Sequence, residues 1–236
     1  MSNHSYNKAN WEEKYKQNAS KTKNIFLRHF YTHAFSDIKT SLKDVPFVAL
    51  DFETTGLNSE VDDIVSVGLV PFSLERVFCK QSKHWVVQPR KSLSEESIVI
   101  HGITHSEVDE APDLASILGP LLNALSGKIV VVHYAAIERH FLNNALLARI
   151  SEGIEFALVD TMEIERKALH ARQGLLGRLF KSKLGSVRLN DCRKRYSLPA
   201  YHNHNALIDA LATAELLMAQ IQYHYRSDTT LSEILS

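Results

Sequence analysis

The sequence is poor in cysteine and contains no long apolar run. Its two cysteines, Cys79 and Cys192, lie far apart and no C-x-x-C pair occurs, which argues against a disulfide framework and a zinc ribbon. The sequence shows no secretory signal peptide and no apolar segment long enough to span a bilayer, so no membrane partner is expected. These absences favour a protein of the reducing cytoplasm.

The sequence also has no excess of either charge. Its 27 Lys and Arg residues balance 27 Asp and Glu residues, so the bulk charge does not indicate a polyanionic partner. The distribution is uneven, because residues 166–195, here called the basic segment, contain ten Lys or Arg and a single acid, Asp191. Such a segment could follow a phosphate backbone or form an ordinary solvated surface. The sequence leaves both interpretations open.

The strongest chemical signal is a pair of acids at the end of an apolar run. The run 47–56 begins with an apolar segment typical of a buried strand, and Asp51 and Glu53 would share one face because strand side chains alternate. Two adjacent carboxylates repel each other, so one is expected to stay protonated unless a cation joins them. Hard divalent cations such as Mg²⁺ bind carboxylate oxygens. The alternative is an ordinary strand end followed by a solvated turn.

Two further segments add acids to this pair. An apolar strand at 130–132 leads through His133 into a helix that carries Glu138 in its first turns. A second helical pattern carries His204 and Asp209, five residues apart. A lone histidine at a helix end usually caps the helix or packs against it. A functional role for His204 therefore depends on the order and spacing of all three segments.

Taken together, the three segments resemble the motifs of the DEDDh exonucleases, the DnaQ-like branch of the ribonuclease H-like fold. The sequence D-F-E-T-T-G at 51–56 matches the first motif, 133–138 stands in place of the second, and H-N-A-L-I-D-A at 204–210 matches the third. H-G-I-T at 101–104 and D-T at 160–161 match two further family segments. The resemblance covers roughly residues 45–220, and the first motif looks most like that of the proofreading exonuclease subunits of bacterial DNA polymerase III.

The resemblance implies an α/β protein with the ribonuclease H-like fold, in which helices flank a five-stranded mixed sheet. It implies a metal-dependent 3′–5′ exonuclease that hydrolyses phosphodiester bonds at nucleic-acid 3′ ends and releases nucleoside 5′-monophosphates. DNA is favoured over RNA as the substrate. A DNA polymerase is the protein partner that the resemblance suggests.

The resemblance also assigns roles to single residues. Four acids would hold two Mg²⁺ ions, with Mn²⁺ as the alternative ion: Asp51, Glu53, Glu138 and Asp209. His204 would act as general base, since an ordinary histidine pKa near 6.5 suits proton transfer around neutral pH. Four residues would lie at the substrate: Thr54, Thr55, Gly56 and His101. For His101 an ordinary helix-end or turn residue is the alternative.

The second motif departs from the family pattern at two positions. The family motif ends in Asp, whereas this sequence has Glu138, whose carboxylate lies one methylene further from the backbone. A contact through water would absorb that difference. Tyr134 replaces the usual Asn, so an amide contact is lost. Two alternatives therefore stay open: a 3′–5′ exoribonuclease, and a catalytically weak module that binds nucleic acid or a polymerase.

The chain is predicted to contain an N-terminal helical arm at 1–44, the exonuclease domain at 45–225 and a C-terminal tail at 226–236. In the arm, apolar residues recur every four positions and predict one helix face: Phe26, Phe30, Ala34, Ile38 and Leu42. We expect this face to pack on the domain, with partner binding as the alternative.

Within the domain, apolar runs predict strands at 46–51, 63–72, 83–88, 129–133 and 156–159. Helical patterns occur at 113–125, 136–149, from 161 onwards, at 188–196 and at 203–223. Residues 174–187 are rich in Gly and Lys and predict a loop. An antiparallel meander followed by alternating strands and helices predicts a mixed sheet covered by helices.

Overall fold

A mixed sheet of five strands forms the centre of the structure. The computed structural model describes residues 11–33, 37–91, 93, 101–179, 185–201 and 204–236, with the backbone alone for 174–179. The strands are β1 (Phe47–Thr54), β2 (Ile64–Phe72), β3 (Lys83–Val86), β4 (Ile129–Val132) and β5 (Leu158–Asp160). The predicted five-stranded sheet is thereby confirmed.

The order of the strands is β3–β2–β1–β4–β5. The first three strands of the chain form the predicted antiparallel meander, whereas β1, β4 and β5 run parallel to one another. Strands β2 and β4 are buried along their whole length, as expected for strands with helices on both faces. The carboxyl ends of β1 and β4 lie side by side, and polar residues that follow them meet at one edge of the sheet.

Helices flank the sheet, and those from residue 114 onwards follow the order that the sequence patterns predict, whereas the helix at Trp11–Lys21 was not predicted. They are α1 (Trp11–Lys21), α2 (Ile25–Thr32), α3 (His105–Asp109), α4 (Leu114–Leu125), α5 (Ala135–Ile150), α6 (Thr161–Leu179), α7 (Leu189–Arg195) and α8 (Ala206–His224). Short 3₁₀ turns occupy Leu42–Asp44, Cys79–Gln81 and Leu231–Glu233. Within the described part of the chain, no helix is both long and apolar enough to cross a membrane.

Side-chain caps fix where several helices begin. The Asn205 carboxamide accepts the N–H groups of Leu207 and Ile208 at the start of α8, and Asp113 accepts an N–H at the start of α4. Thr104 and Glu107 form a reciprocal capping box on α3. Such caps satisfy N–H groups that have no partner inside the helix. Helix α8, which carries Asp209 in its first turn, therefore starts at a defined residue.

Two sequence predictions were wrong in detail. Helix α6 continues to Leu179, so its last turns replace the first part of the loop predicted at 174–187. Glycine in a helix costs only about 1 kcal/mol relative to alanine, which a long helix can carry. In the arm, α2 ends at Thr32, and Ile38 and Leu42 reach the core from a turn and a 3₁₀ segment. Ala34 lies outside the described residues.

The arm packs on the rest of the chain. Trp11 and Tyr15 of α1 are buried, and the Glu152 carboxylate accepts the backbone N–H groups of Lys23 and Asn24 at 2.8 Å. Residues of the C-terminal segment join the same apolar core: Leu231, Ile234 and Leu235. Of the predicted apolar face, Phe30 and Leu42 are buried and Ile38 packs against the core, whereas Phe26 is 42% exposed, so the face packs on the domain only in part. The predicted domain boundaries themselves remain a prediction.

Candidate active site

The acids Asp51 and Glu53 lie near the carboxyl end of β1. Their neighbours across the antiparallel ladder are Gly68 for Asp51 and Ser66 for Glu53. Alternation along the strand places both carboxylates on one face of the sheet. Glu53 is buried, whereas Asp51 keeps part of its surface open to solvent. The strand thus presents two acids at the edge where the parallel strands end.

Helix α8 brings a third acid to this pair. Asp209 lies in its first turn, and one oxygen from each of Asp51, Glu53 and Asp209 lies within 4.8 Å of the other two. The helix approaches the sheet closely because Gly68 has no side chain. A Cβ atom on Gly68 would lie 2.2 Å from the carbonyl carbon and oxygen of Ala206. The glycine opposite Asp51 therefore permits the arrangement.

A methyl group at position 68 is expected to disrupt the site. Gly68→Ala would push the start of α8 away from β2, because the contact at 2.2 Å is to backbone, and Asp209 would move with it. We expect loss of activity together with a lower melting temperature. Gly185→Ala is the control, since a Cβ there meets no atom closer than 3.7 Å. Full activity of a folded Gly68→Ala variant would contradict the role of this close approach.

Glu138 is the fourth acid and the most deeply buried part of the site. It lies in the first turn of α5 and is 3% exposed. Its Oε2 atom has no hydrogen-bond partner among the described residues. Its charge is one of those that raise the pKa of Asp51, although it is not part of the group of Asp51, Glu53 and Asp209 whose oxygens lie within 4.8 Å of one another. A buried carboxylate oxygen without a partner is costly, so this site suits a cation or water.

The electrostatics of the four acids favour a bound cation. Burial, together with the charges of Glu138, Asp209 and Glu53, holds the pKa of Asp51 well above its usual range. Burial and the charge of Asp160 do the same to the pKa of Glu138. Burial also raises the pKa of Asp209, against the opposing backbone N–H of His204. Hard oxygen ligands crowded in this way fit Mg²⁺ or a similar divalent ion.

Two histidines flank the acids. The Nδ1 atom of His101 forms an ion pair with Glu53, and its Nε2 atom lies 3.2 Å from the carbonyl oxygen of Thr54. Burial lowers the pKa of His101, but Glu53 outweighs it and the net shift is upwards. A protonated His101 can therefore hold Glu53 and Thr54 in place. Contact of His101 with substrate remains a prediction.

His204 lies at the open side of the site. It is exposed, and its ring centroid lies 6.2 Å from that of His101. Its backbone N–H donates to the Asp209 carboxylate at 2.9 Å. This hydrogen bond fixes the main chain of His204 without using the imidazole ring. The structure thus brings His204 to the same cluster as Asp51, Glu53 and Asp209.

The turn after β1 is held by its own side chains. The Thr54 hydroxyl donates to the Gly56 carbonyl oxygen at 2.6 Å. The Thr55 hydroxyl donates to Asp62 at 3.3 Å and accepts the Asp63 N–H at 3.0 Å. A Cβ atom on Gly56 would lie 2.3 Å from the Asp62 carboxylate. These contacts give Thr54, Thr55 and Gly56 a fixed backbone close to Glu53.

A family model described as an exonuclease, RNase_T, matches residues 48–217. That span includes all four acids, both flanking histidines and the turn after β1. The chain belongs to this exonuclease family. The clustered carboxylates agree with the divalent metal centre that DEDDh exonucleases use.

Curated relatives of this exonuclease include DNA polymerase III components. The DNA polymerase III PolC-type protein of Thermotoga petrophila is 27% identical over 196 residues, which are 83% of this chain but 13% of that protein. The DNA polymerase III subunit epsilon of Buchnera aphidicola is 27% identical over 197 residues, 78% of this chain and 77% of that subunit. The exonuclease thus spans about an eighth of the PolC-type relative.

Solved structures agree on the fold. The nuclease domain of 3′hExo, a DEDDh family member bound to rAMP, superposes with a TM-score of 0.61 and 17% identity. The match covers 81% of this exonuclease and 96% of that domain. At this identity the likeness shows a shared ribonuclease H-like fold.

Several residues that shape the exonuclease site were missed by the sequence analysis. The buried Arg149 guanidinium binds the Asp63 carboxylate at 2.9 Å and Asp113 at 2.8 Å, and it thereby supports the turn after β1 through Asp63. These partners lie far apart in sequence, so no local pattern reveals them. Gly68 carried a signal, because an isolated glycine in a strand often marks a close backbone approach.

The basic segment is partly used inside the exonuclease fold. Arg193 is buried and binds Glu215 at 2.8 Å, and Arg195 binds Glu165 at 2.7 Å. The Nε2 atom of His133 donates to the Val187 carbonyl oxygen at 2.9 Å, and its Nδ1 atom lies 2.8 Å from the Thr161 hydroxyl, which ties the segment to the end of β4. Among the residues of the segment whose side chains the structure describes, three arginines are exposed: Arg166, Arg172 and Arg188. The buried arginines have structural roles, whereas the exposed ones could either bind a phosphate backbone or form an ordinary solvated surface.

Proposed function

We propose that this exonuclease hydrolyses phosphodiester bonds at nucleic-acid 3′ ends, with DNA favoured, and releases nucleoside 5′-monophosphates. The observation that supports the proposal most is the cluster of Asp51, Glu53 and Asp209 within 4.8 Å, beside the buried, unpartnered oxygen of Glu138. Such a set of hard ligands suits metal-assisted hydrolysis of an anionic diester.

The four acids would hold two Mg²⁺ ions, with Mn²⁺ as the alternative. Asp51 would contact both ions, Glu53 and Asp209 would complete one site, and Glu138 would serve the other directly or through water. Bound at this place, the ions would lower the pKa of the attacking water and stabilise the leaving oxygen. The pKa values of Asp51, Glu138 and Asp209, raised mainly by burial, mean that metal would bind with release of protons.

The remaining residues act on substrate and protons. His204, exposed at the mouth of the cluster, would take a proton from the attacking water, and its backbone bond to Asp209 would keep it in place. The turn of Thr54, Thr55 and Gly56 would position the last nucleotide against the acids. His101, paired with Glu53, would orient that carboxylate and approach the substrate.

DNA is preferred as substrate because the curated relatives are DNA polymerase III components, and a DNA polymerase is the partner we propose on the same ground. The test is digestion of single-stranded DNA, duplex DNA and RNA side by side, labelled at either end. The proposal expects 5′-mononucleotides from 3′ ends only, with DNA ends consumed fastest. Preferred digestion of RNA ends would favour the exoribonuclease.

Glu138 decides between the enzyme and a weakly active binding module. Its carboxylate is buried and one of its oxygens has no hydrogen-bond partner among the described residues, which suits a cation ligand, so we expect the wild-type protein to be active. Glu138→Ala should lower the rate by roughly 10- to 100-fold, the usual loss for a supporting ligand, whereas Glu138→Asp should keep substantial activity. An inactive wild type that Glu138→Asp restores would establish the binding module instead.

A further inference from the structure

Tyr134 adopts a backbone conformation that tyrosine disfavours. Its φ is 95° and its ψ is 76°, in the left-handed region. Glycine and asparagine enter this region readily, whereas a bulky side chain there is strained. The family asparagine at this position would suit the backbone better. A tyrosine that is kept at a strained position is a candidate for a role of its own.

The contacts that hold this conformation do not need the tyrosine ring. The Asp160 carboxylate accepts the backbone N–H of Tyr134 at 3.1 Å and that of Ala135 at 3.0 Å. The same carboxylate accepts the N–H of Met162 at 2.9 Å. All three bonds are to main chain, so they would form equally with asparagine at position 134. The hydrogen bonds to Asp160 therefore fix the backbone at position 134 but do not require a tyrosine side chain there.

Tyr134 lies between the end of β4 and the helical turn that carries Glu138. Ala49 of β1 pairs with Val131 of β4 in parallel register, so the chain reaches Tyr134 just past the level of Asp51. Neighbouring strands lie about 4.8 Å apart. Tyr134 also precedes Glu138 by one helical turn, and 41% of its surface is exposed. An exposed aromatic residue therefore directly precedes the helical turn that carries Glu138.

We propose that Tyr134 is a substrate-positioning residue that stacks on a nucleobase within the last two nucleotides of the 3′ end. This inference rests on the proposed exonuclease function and extends it to substrate binding. Stacking on an aromatic ring tolerates every base, since each base has a π face. The ring would contact the substrate before and during hydrolysis alike, so it would act on KM and leave kcat nearly unchanged.

The experiment compares Tyr134→Asn and Tyr134→Phe with wild type on single-stranded DNA and RNA oligonucleotides. Tyr134→Asn should raise KM by roughly 5- to 100-fold, the usual worth of one stacked base, and should raise the melting temperature by relieving backbone strain. Tyr134→Phe should keep the KM of wild type. Tyr223→Asn is the control, because Tyr223 is 69% exposed at the far end of α8.

Oligonucleotides with an abasic site at the last or second nucleotide separate base stacking from a merely structural role of Tyr134. A structural role would not change with the loss of a base. Wild type should lose affinity for one of these oligonucleotides, and Tyr134→Asn should lose nothing further on that same substrate. An unchanged KM in Tyr134→Asn, or an equal abasic effect in both proteins, would overturn this inference while leaving the exonuclease function standing. A wild-type protein that releases no mononucleotide would overturn both.

Discussion

Replacing Asp51 by Asn is expected to reduce hydrolysis of 3′ ends by about 10³-fold or more, since metal-held charge supplies several kcal/mol of transition-state stabilisation. Asp51 is the acid on which the charges of Glu138, Asp209 and Glu53 all act, so its loss affects both proposed ion sites. The neutral variant also removes one charge from a repelling cluster. In metal-free buffer its melting temperature should therefore equal or exceed that of wild type.

The measurement is single-turnover hydrolysis of a 3′-labelled oligonucleotide with Mg²⁺, next to thermal unfolding without metal. Asp44→Asn is the control, because Asp44 is an exposed acid of the N-terminal segment. Asp209→Asn should behave like Asp51→Asn. Near-normal hydrolysis by either folded variant would rule out the assignment of these acids as metal ligands.

Replacing His204 by Asn is expected to slow hydrolysis by roughly 10²- to 10⁴-fold, the usual contribution of a general base. Asparagine suits this position because φ of His204 is 69°, and asparagine tolerates the left-handed region. The backbone N–H that donates to Asp209 is kept in the variant. The loss therefore reports on the imidazole ring alone.

Mg²⁺ affinity, measured by titration of the same variant, should stay close to that of wild type, because His204 is not a proposed ligand. His140→Asn, at an exposed position of α5, is the control for loss of a histidine. A His204→Asn variant that keeps its rate, or whose activity returns at high Mg²⁺, would show that the histidine has another task.

The sheet and the acids were predictable because their signals are local. Apolar runs of strand length predicted β2 and β4 within one residue and β1 within three, and the motif spacing selected Asp51, Glu53 and Asp209 from the other acids. In the arm, by contrast, the four-residue period identified the buried residues Phe30 and Leu42 but not the end of α2 at Thr32. A periodic pattern reports burial, and a turn can bury a residue as well as a helix can.

Other features depend on partners that are distant in the chain. Arg149 meets Asp63 across 86 positions of sequence, and Gly68 makes room for Ala206 of another element. The strained backbone of Tyr134 follows from the Asp160 carboxylate, 26 residues away. The isolated glycine at position 68 signals a close approach, but no local pattern identifies the partner of any of these residues, so the pairings are visible only once the fold is known.

Thermal unfolding with and without Mg²⁺ at two pH values will show whether the acidic cluster is a divalent metal centre. The folded-state pKa values of Asp51, Glu138 and Asp209 are raised, mainly by burial. In the metal-free protein these three acids therefore leave the free energy of unfolding unchanged below the ordinary carboxyl pKa of about 4. They lower it increasingly as the pH rises above that value. Bound Mg²⁺ would offset that loss of stability.

The account predicts that Mg²⁺ raises the melting temperature of the wild-type protein more at about pH 8 than at about pH 5, where protons compete for the same oxygens. Asp51→Asn should show a much smaller rise at both pH values. A wild-type melting temperature that Mg²⁺ and Mn²⁺ leave unchanged at about pH 8, or that they raise equally in Asp51→Asn, would contradict the metal centre.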